Sequence, residues 1–312
     1  MPRVSVVTPF YNTARYLAEC VESVLAQDFD DFEYVLVDNH SDDGSGAIAA
    51  GYAAEDPRIR ILQPPEFLSQ VDNYNFALAN IDPSSAYVKM VQADDAVLPR
   101  CLTEMVALAD ANATVGLVSA YELIEETVSG CYLTRDRPVL AGRDAARLYL
   151  LQDVFLFGSP TTVMYRADLV RARTPFFDPG RLHEDTEVVF ELLHQADFGF
   201  VHQVLTYTRR QEGALSDSIK DQLTQKIDQL VNVTRYGPWF LDEQELAETV
   251  RHKRCAYYRA LARRQIRTLA RRDERFWAYQ ERGLATIGET IDRRFMRRQI
   301  VPALLERIGG RL

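Results

Sequence analysis

Over its first hundred residues the chain alternates short apolar runs with segments of helical periodicity, and no other feature restricts its fold as much. Val4–Thr8 is an apolar run of the length of a buried strand. Asn12 or Thr13 can cap the helix that follows, in which Tyr16, Leu17, Cys20, Val21, Val24 and Leu25 recur at helical spacing. Phe32–Val37 reads as a second strand, stopped by the turn-rich DNHSDDGSG. Ala47–Ala54 reads as a helix, Arg58–Leu62 as a strand, Leu68–Ala79 as a helix and Tyr87–Val91 as a fourth strand. Strands separated by helices predict a mostly parallel sheet covered on its faces.

Beyond this region Pro99 opens a helix running to about Asn112. Val115–Glu122, Gly130–Leu133 and Thr161–Arg166 read as strands, Gly142–Leu151 and His183–His194 as helices, and Phe198–Thr208 as extended chain. From about Ser218 the pattern is almost wholly helical, with Pro238 expected to interrupt it near a turn. Charge separates this last part from the rest. Arg251–Leu312 holds 17 basic and 6 acidic residues, a balance of +11, against -20 for the remainder. The division expected is residues 1–217, with halves of about 1–98 and 99–217, followed by an arginine-rich helical region, 218–312.

No apolar run reaches the length of a membrane-spanning helix. MPRVSVVTPFYN leads directly into strand one and lacks the pattern of a signal peptide. Cys20, Cys101, Cys131 and Cys255 are widely spaced and form no metal-ligand pattern. Reduced thiols in a cytoplasmic protein are the expectation.

In an open α/β sheet, ligands bind just beyond the carboxyl ends of the strands. Strand one ends in Thr8-Pro9-Phe10-Tyr11-Asn12, strand two in Asp38-Asn39-His40-Ser41-Asp42-Asp43-Gly44, and strand four in Gln92-Ala93-Asp94-Asp95. Parallel strands would bring these ends together. Adjacent carboxylates suit Mg²⁺ or Mn²⁺ on a diphosphate; alone, the pair fits a helix cap better. Asp38 can accept from a base or ribose hydroxyl, or form a turn. Tyr11 can stack on a nucleobase, or pack on the core. His183-Glu184-Asp185 opens a helix, where acids are favourable in any case, yet a carboxylate there can serve as a general base. Tyr207-Thr208-Arg209-Arg210 offers arginines that can clamp phosphate oxygens, or simply be solvated.

Taken in order, VSVVTPFYN, ECVESVLAQDFDDFEYVLVDNHSDDGS, QADDAVLP, GSPTTVMYR, HEDTEVVFELL and LTYTRRQEGALS resemble family 2 glycosyltransferases of the GT-A fold, over roughly residues 3–216. The resemblance implies a Rossmann-like, mixed but mostly parallel sheet sandwiched by helices, here with a C-terminal helical appendage. It implies inverting, metal-assisted transfer of a sugar from a nucleotide diphosphate, a UDP-sugar being favoured, to the hydroxyl of a glycan or lipid-linked acceptor. Carried across by position, Pro9, Tyr11, Asp38 and Asn39 hold the nucleoside. Asp94 contacts the ribose or the metal, and Asp95 is the stronger metal ligand. Asp185 is the base with Glu184 beside it, and Arg209 and Ser216 lie near the diphosphate. Three positions depart from the family pattern. Asn39 stands for a second acid, Gln92 for the acid two residues before the metal pair, and Gln211 for a histidine. They leave room for an inactive nucleotide-sugar-binding or assembly protein. A nucleotidyltransferase would share the α/β nucleotide site, but the chain lacks a glycine-rich, lysine-bearing phosphate loop near strand one.

The segment YYRALARRQIRTLARR suits either an amphipathic helix on anionic lipid, at the inner face of the membrane, or an appendage packed on the catalytic domain or on a second copy of the chain. The second reading is favoured. No nucleic-acid-reading motif is present, so no nucleic-acid partner is expected.

Overall fold

The structure, a computed structural model, describes residues 1–130, 133–210, 223–267 and 273–301. These residues pack as two compact units. The first comprises Met1–Ala146, Val154–Gly180 and Glu184–Arg210; the second comprises Arg147–Asp153, Arg181–His183 and the described part of Gln211–Leu312. The second thus takes in two short segments that the sequence reading left in the first.

The first unit is built on one sheet. Strands β1 (Val4–Phe10), β2 (Phe32–Asp38), β3 (Ile59–Leu62) and β4 (Tyr87–Met90) alternate with helices α1 (Leu17–Leu25), α2 (Ser45–Glu55) and α3 (Gln70–Ala79). They lie in the order β3-β2-β1-β4, all parallel. The burial follows from composition: β1 is buried at every residue and β2 at all but one, as expected for strands covered on both faces. Pro9 has no N–H, and it follows the last β1 residue paired with β4, Val7 opposite Met90.

After β5 (Ala96–Val97) and α4 (Cys101–Ala111) come β6 (Val115–Ile124), β7 (Thr127–Ser129), β8 (Val139–Leu140), α5 (Gly142–Gln152), β9 (Met164–Arg166), α6 (Ala167–Arg171), α7 (Glu184–Leu193) and β10 (Asp197–Thr208). The sheet continues β4-β9-β6-β10-β5. Here β9 runs antiparallel to both neighbours, whereas β6 and β10 are parallel. The result is a mixed, largely parallel sheet with helices on its faces, the architecture of the GT-A fold. One hydrophobic cluster joins α1, α4 and the strands, including Val6, Phe10, Val21, Tyr34, Leu102 and Val118.

Several local expectations change. Asn12 and Thr13 do not cap α1 with their side chains. Tyr16 occupies the cap, and the amides of Tyr16 and Leu17 donate to the Thr13 carbonyl at 2.9 Å. Asn12 is in a left-handed conformation (φ 51°), and its amide side chain exchanges two hydrogen bonds with Asp42. A strand runs over Thr127–Ser129 and is followed by Gly130 at φ 87°, while the middle of the strand expected at Gly130–Leu133 lies outside the described residues. The strand expected from Thr161 begins at Met164, since a turn closed by Thr162 N–H on the Ser159 carbonyl occupies the preceding residues.

The second unit is helical: α8 (Thr224–Phe240), α9 (Glu243–Arg267), α10 (Glu274–Ala285) and α11 (Arg293–Arg298). Pro238 does not interrupt α8 but lies in its last turn, where the helix ends two residues later. Ile227, Leu230, Tyr257, Tyr258, Leu261 and Phe276 form its core. Four basic residues meet carboxylates: Arg147 with Glu245, Lys253 with Asp153, Arg254 with Glu289 and Arg264 with Asp273. Among the described residues no helix is long and apolar enough to cross a membrane.

Candidate active site

The carboxyl ends of β1, β2 and β4 lie side by side because the strands are parallel neighbours. Pro9 is buried, and Tyr11, just past the strand, is 46% exposed. At the end of β2, Asp38 is nearly buried and accepts from Ser41 N–H at 2.8 Å. Its second oxygen faces the first turn of α2, where a Cβ on Gly46 would stand 2.7 Å from it. Glycine at 46 therefore makes room for the carboxylate beside a helix N-terminus, a favourable place for negative charge.

Asn39 is buried, and both ends of its amide are engaged. Nδ2 donates to the Leu68 carbonyl and Oδ1 accepts from Leu68 N–H, each at 2.9 Å. The sequence reading offered this amide to a nucleobase; here it holds the β3–α3 loop.

At the end of β4, Asp95 is 3% exposed and Asp94 half-buried. Asp95 Oδ2 accepts from Thr161 Oγ1 at 2.6 Å and Thr208 Oγ1 at 3.5 Å, and Oδ1 accepts from Arg209 N–H at 3.1 Å. Burial pushes the Asp95 carboxyl up to about 7, with the charges of Asp94 and Glu122 adding to it and the bonds from Thr161 and Arg209 opposing it. Glu122 of β6, also buried, accepts at Oε1 from Ser159, Thr162 and Thr208, at 2.8, 2.9 and 2.6 Å. Thr208 thus touches both acids. Beneath them Lys89, fully buried, donates to the Thr161 and Val163 carbonyls. Burial lowers its pKa, and the negative charges around it, Asp95 and Glu122 included, resist the shift.

Arg209 is fixed against the acidic pair. Nε donates to the Asp94 carbonyl at 3.2 Å and Nη2 to Glu19 at 2.8 Å, while the guanidinium lies over the Tyr16 and Tyr207 rings at 4.8 and 5.3 Å. A cation so held costs little further ordering when an anion arrives.

Two buried tyrosines feel the charges of the acids at the start of α7. Tyr74 accepts hydrogen bonds from Gln92 and Gln70 at 2.9 and 2.7 Å. Its phenol is pushed up by burial and further by the charges of Asp94 and Glu184. One buried ring thus lies within electrostatic reach of both the β4 end and the start of α7. Tyr165 is raised in the same way by burial and by Asp185. Asp185 is half-buried, and Oδ1 accepts from Thr186 N–H at 2.7 Å. Ser216 and Gln211 lie outside the described residues.

The sequence reading missed Glu122, Lys89, Glu19 and Tyr74. Each stands within a strand or helix pattern that explains it without a site. Thr161 and Thr208 lay inside quoted motifs, but nothing in their spacing assigned them to the acids.

A sequence model of glycosyl transferase family 2 matches residues 5–173, more than half of the chain. The chain belongs to glycosyltransferase family 2. The family match includes Tyr11, Asp38, Asp94, Asp95 and Glu122, and ends before Asp185 and Arg209. Among relatives, glycosyltransferase GlyG of Streptococcus pneumoniae is 34% identical over 124 residues, covering 38% of this chain and 40% of GlyG. The uncharacterized glycosyltransferase EpsJ of Bacillus subtilis is 37% identical over 98 residues, covering 31% and 27%. The chain thus spans less than half the length of either relative. Among solved structures, TarS 1–349 of S. aureus, in complex with UDP-GlcNAc, has a TM-score of 0.65 at 18% identity, covering 97% of this chain and 89% of that one. The mannosyltransferase PcManGT of Pyrobaculum calidifontis, in complex with GDP-Man and Mn²⁺, has 0.58 at 14% identity, covering 100% and 88%. At such identities these two share the family's fold with this chain.

Proposed function

We propose that the chain is an inverting glycosyltransferase that moves a sugar from a nucleotide diphosphate to an acceptor hydroxyl of a glycan or lipid-linked glycan. The observation that carries this is Arg209, a cation locked by Glu19 and two aromatic rings directly against the backbone of the Asp94–Asp95 pair. Opposite charges meeting at a strand end suit a diphosphate held between a cation and a metal site.

The donor set fits Mg²⁺ or Mn²⁺ that arrives with the substrate. Among the described residues no group of three or more His, Cys, Asp or Glu side chains could hold a metal, and such a site needs only one or two carboxylates beside phosphates and water. Asp94 is the more open of the two, and Asp95 retains a lone pair on Oδ1 beside the bond from Arg209. A divalent ion there would neutralise charge on the departing diphosphate.

The protein's own residues would do the rest. Tyr11 and Asp38 bind the nucleoside. Arg209 binds diphosphate oxygens. Asp185, with Glu184 beside it, takes the proton of the acceptor hydroxyl as that oxygen bonds to the anomeric carbon and the bond to the diphosphate breaks, inverting the centre. The fold shared with complexes of UDP-GlcNAc and GDP-Man supports a nucleotide-sugar donor.

The test is release of nucleoside diphosphate from a panel of UDP- and GDP-sugars with Mn²⁺ or Mg²⁺. Metal-dependent release is expected, slow with water as acceptor. Metal-dependent binding without release would point instead to a binding protein, and pyrophosphate release from nucleoside triphosphates to a nucleotidyltransferase.

A further inference from the structure

Two large aromatic side chains stand exposed beside the nucleoside-binding end of the sheet. Tyr11 is 46% and Phe67 59% exposed, and their rings meet at 4.9 Å between centroids with planes at 68°. An edge-to-face pair of this kind leaves ring surface open on both partners and forms an apolar corner.

The loop that carries Phe67 is pinned on either side of it. His40 Nε2 donates to the Pro64 carbonyl at 2.9 Å. Asn39 bonds both the N–H and the carbonyl of Leu68. Just after this, the Ser69 hydroxyl caps α3 by accepting from Asp72 N–H at 3.2 Å. A loop held at Pro64, Leu68 and Ser69 keeps Phe67 in place despite its contact with water.

Resting on the glycosyl-transfer reading, we propose that Phe67 and Tyr11 together receive the nucleobase of the donor, and that Asn39 is the residue that positions Phe67. The geometry accounts for asparagine at 39. An aspartate could accept from Leu68 N–H, but its second oxygen would face the Leu68 carbonyl, replacing a hydrogen bond with repulsion. The amide is the side chain that answers both backbone groups. Hydrogen bonding at the base then falls to Asp38, while the aromatic corner supplies stacking, which accepts any base with a π face.

Calorimetric titration with UDP and GDP in Mn²⁺, and with inorganic pyrophosphate in Mn²⁺, tests this. Phe67→Ala is expected to weaken nucleotide binding on the order of tenfold, to leave pyrophosphate binding and Tm unchanged, and to be restored by Phe67→Trp. Asn39→Asp is expected to weaken nucleotide binding in the parent chain but not further in the Phe67→Ala background, because it acts through Phe67. Nucleotide binding unchanged in Phe67→Ala would overturn the inference alone. Equal losses for nucleotide and pyrophosphate would also overturn it. Absence of nucleotide binding by the wild type would overturn the glycosyl-transfer reading and this inference with it.

Discussion

Charge at the strand ends of the first unit and charge on four cations of the second are held in different ways. In the first, Asp95 and Glu122 are buried acids whose hydrogen-bond donors are threonine and serine hydroxyls and one backbone amide, with Lys89 bonded to carbonyls beneath them. In the second, Arg147, Lys253, Arg254 and Arg264 each meet a carboxylate of the same unit. Hydroxyls hold a carboxylate in place without neutralising it, which leaves the strand-end acids able to attract a cation. Ion pairs cancel charge, and in the arginine-rich region they engage Lys253, Arg254 and Arg264. A carboxylate held by hydroxyls keeps its charge open to a counter-ion, whereas a cation held by a carboxylate has that charge engaged in packing.

The largest effect should fall on the acids of the first unit. Asp95→Ala, or removal of divalent ions with EDTA, is expected to reduce sugar transfer to background; full turnover in metal-free buffer would remove the metal from the account. Next, Asp185→Asn is expected to lower kcat by roughly 10²–10⁴ while nucleotide affinity, measured by calorimetry, stays near that of the wild type. Wild-type turnover would displace Asp185 from the role of base. Arg209→Ala is expected to weaken nucleoside diphosphate binding by about ten- to a hundredfold, the range for one charged hydrogen-bonding partner.

Changes in the second unit should move stability and leave nucleotide binding alone. Tyr149 OH donates to the buried Asp228 at 2.7 Å. Tyr149→Phe is therefore expected to cost about 1–3 kcal/mol in chemical denaturation. The smallest effect concerns pH. Arg147 bonds Glu245 through two nitrogens and, with Asp242, holds its carboxyl down to about 2 from an ordinary 4.5. A depressed folded-state pKa contributes stability that is present above 4.5 and lost as pH falls toward 2. Glu245→Gln should flatten the dependence of Tm on pH in that window and leave the profile above pH 5 parallel to that of the wild type.

Legibility in the sequence followed the same division. The β1–β4 region was readable because strands buried on both faces are continuous apolar runs, and α1 between the first two shows a clear helical period. The short strands Ala96–Val97 and Val139–Leu140 were not, since two residues carry no period. Asp38, Asp94, Asp95 and Arg209 were found as motif residues at strand ends. Glu122 was not, because it occupies a strand where alternation would place an ordinary polar residue, and only the pairing of β6 with β10 brings Thr208 to it. Asn39 was noticed as a departure from the family pattern. Its partner Leu68 is twenty-nine positions away and could be identified only from the folded chain.

The central claim is that Asp95 is held buried for the ligand rather than for the fold. Thermal unfolding of wild type and Asp95→Asn, each alone, with Mn²⁺, with UDP or GDP, and with both, tests it most directly. The wild-type Tm is expected to rise only when nucleotide and Mn²⁺ are present together. Asp95→Asn is expected to lose that rise while its Tm without ligand equals or exceeds that of the wild type, because an amide relieves the burial of a charge. A variant that unfolds at lower temperature yet keeps the full metal-dependent rise would contradict it.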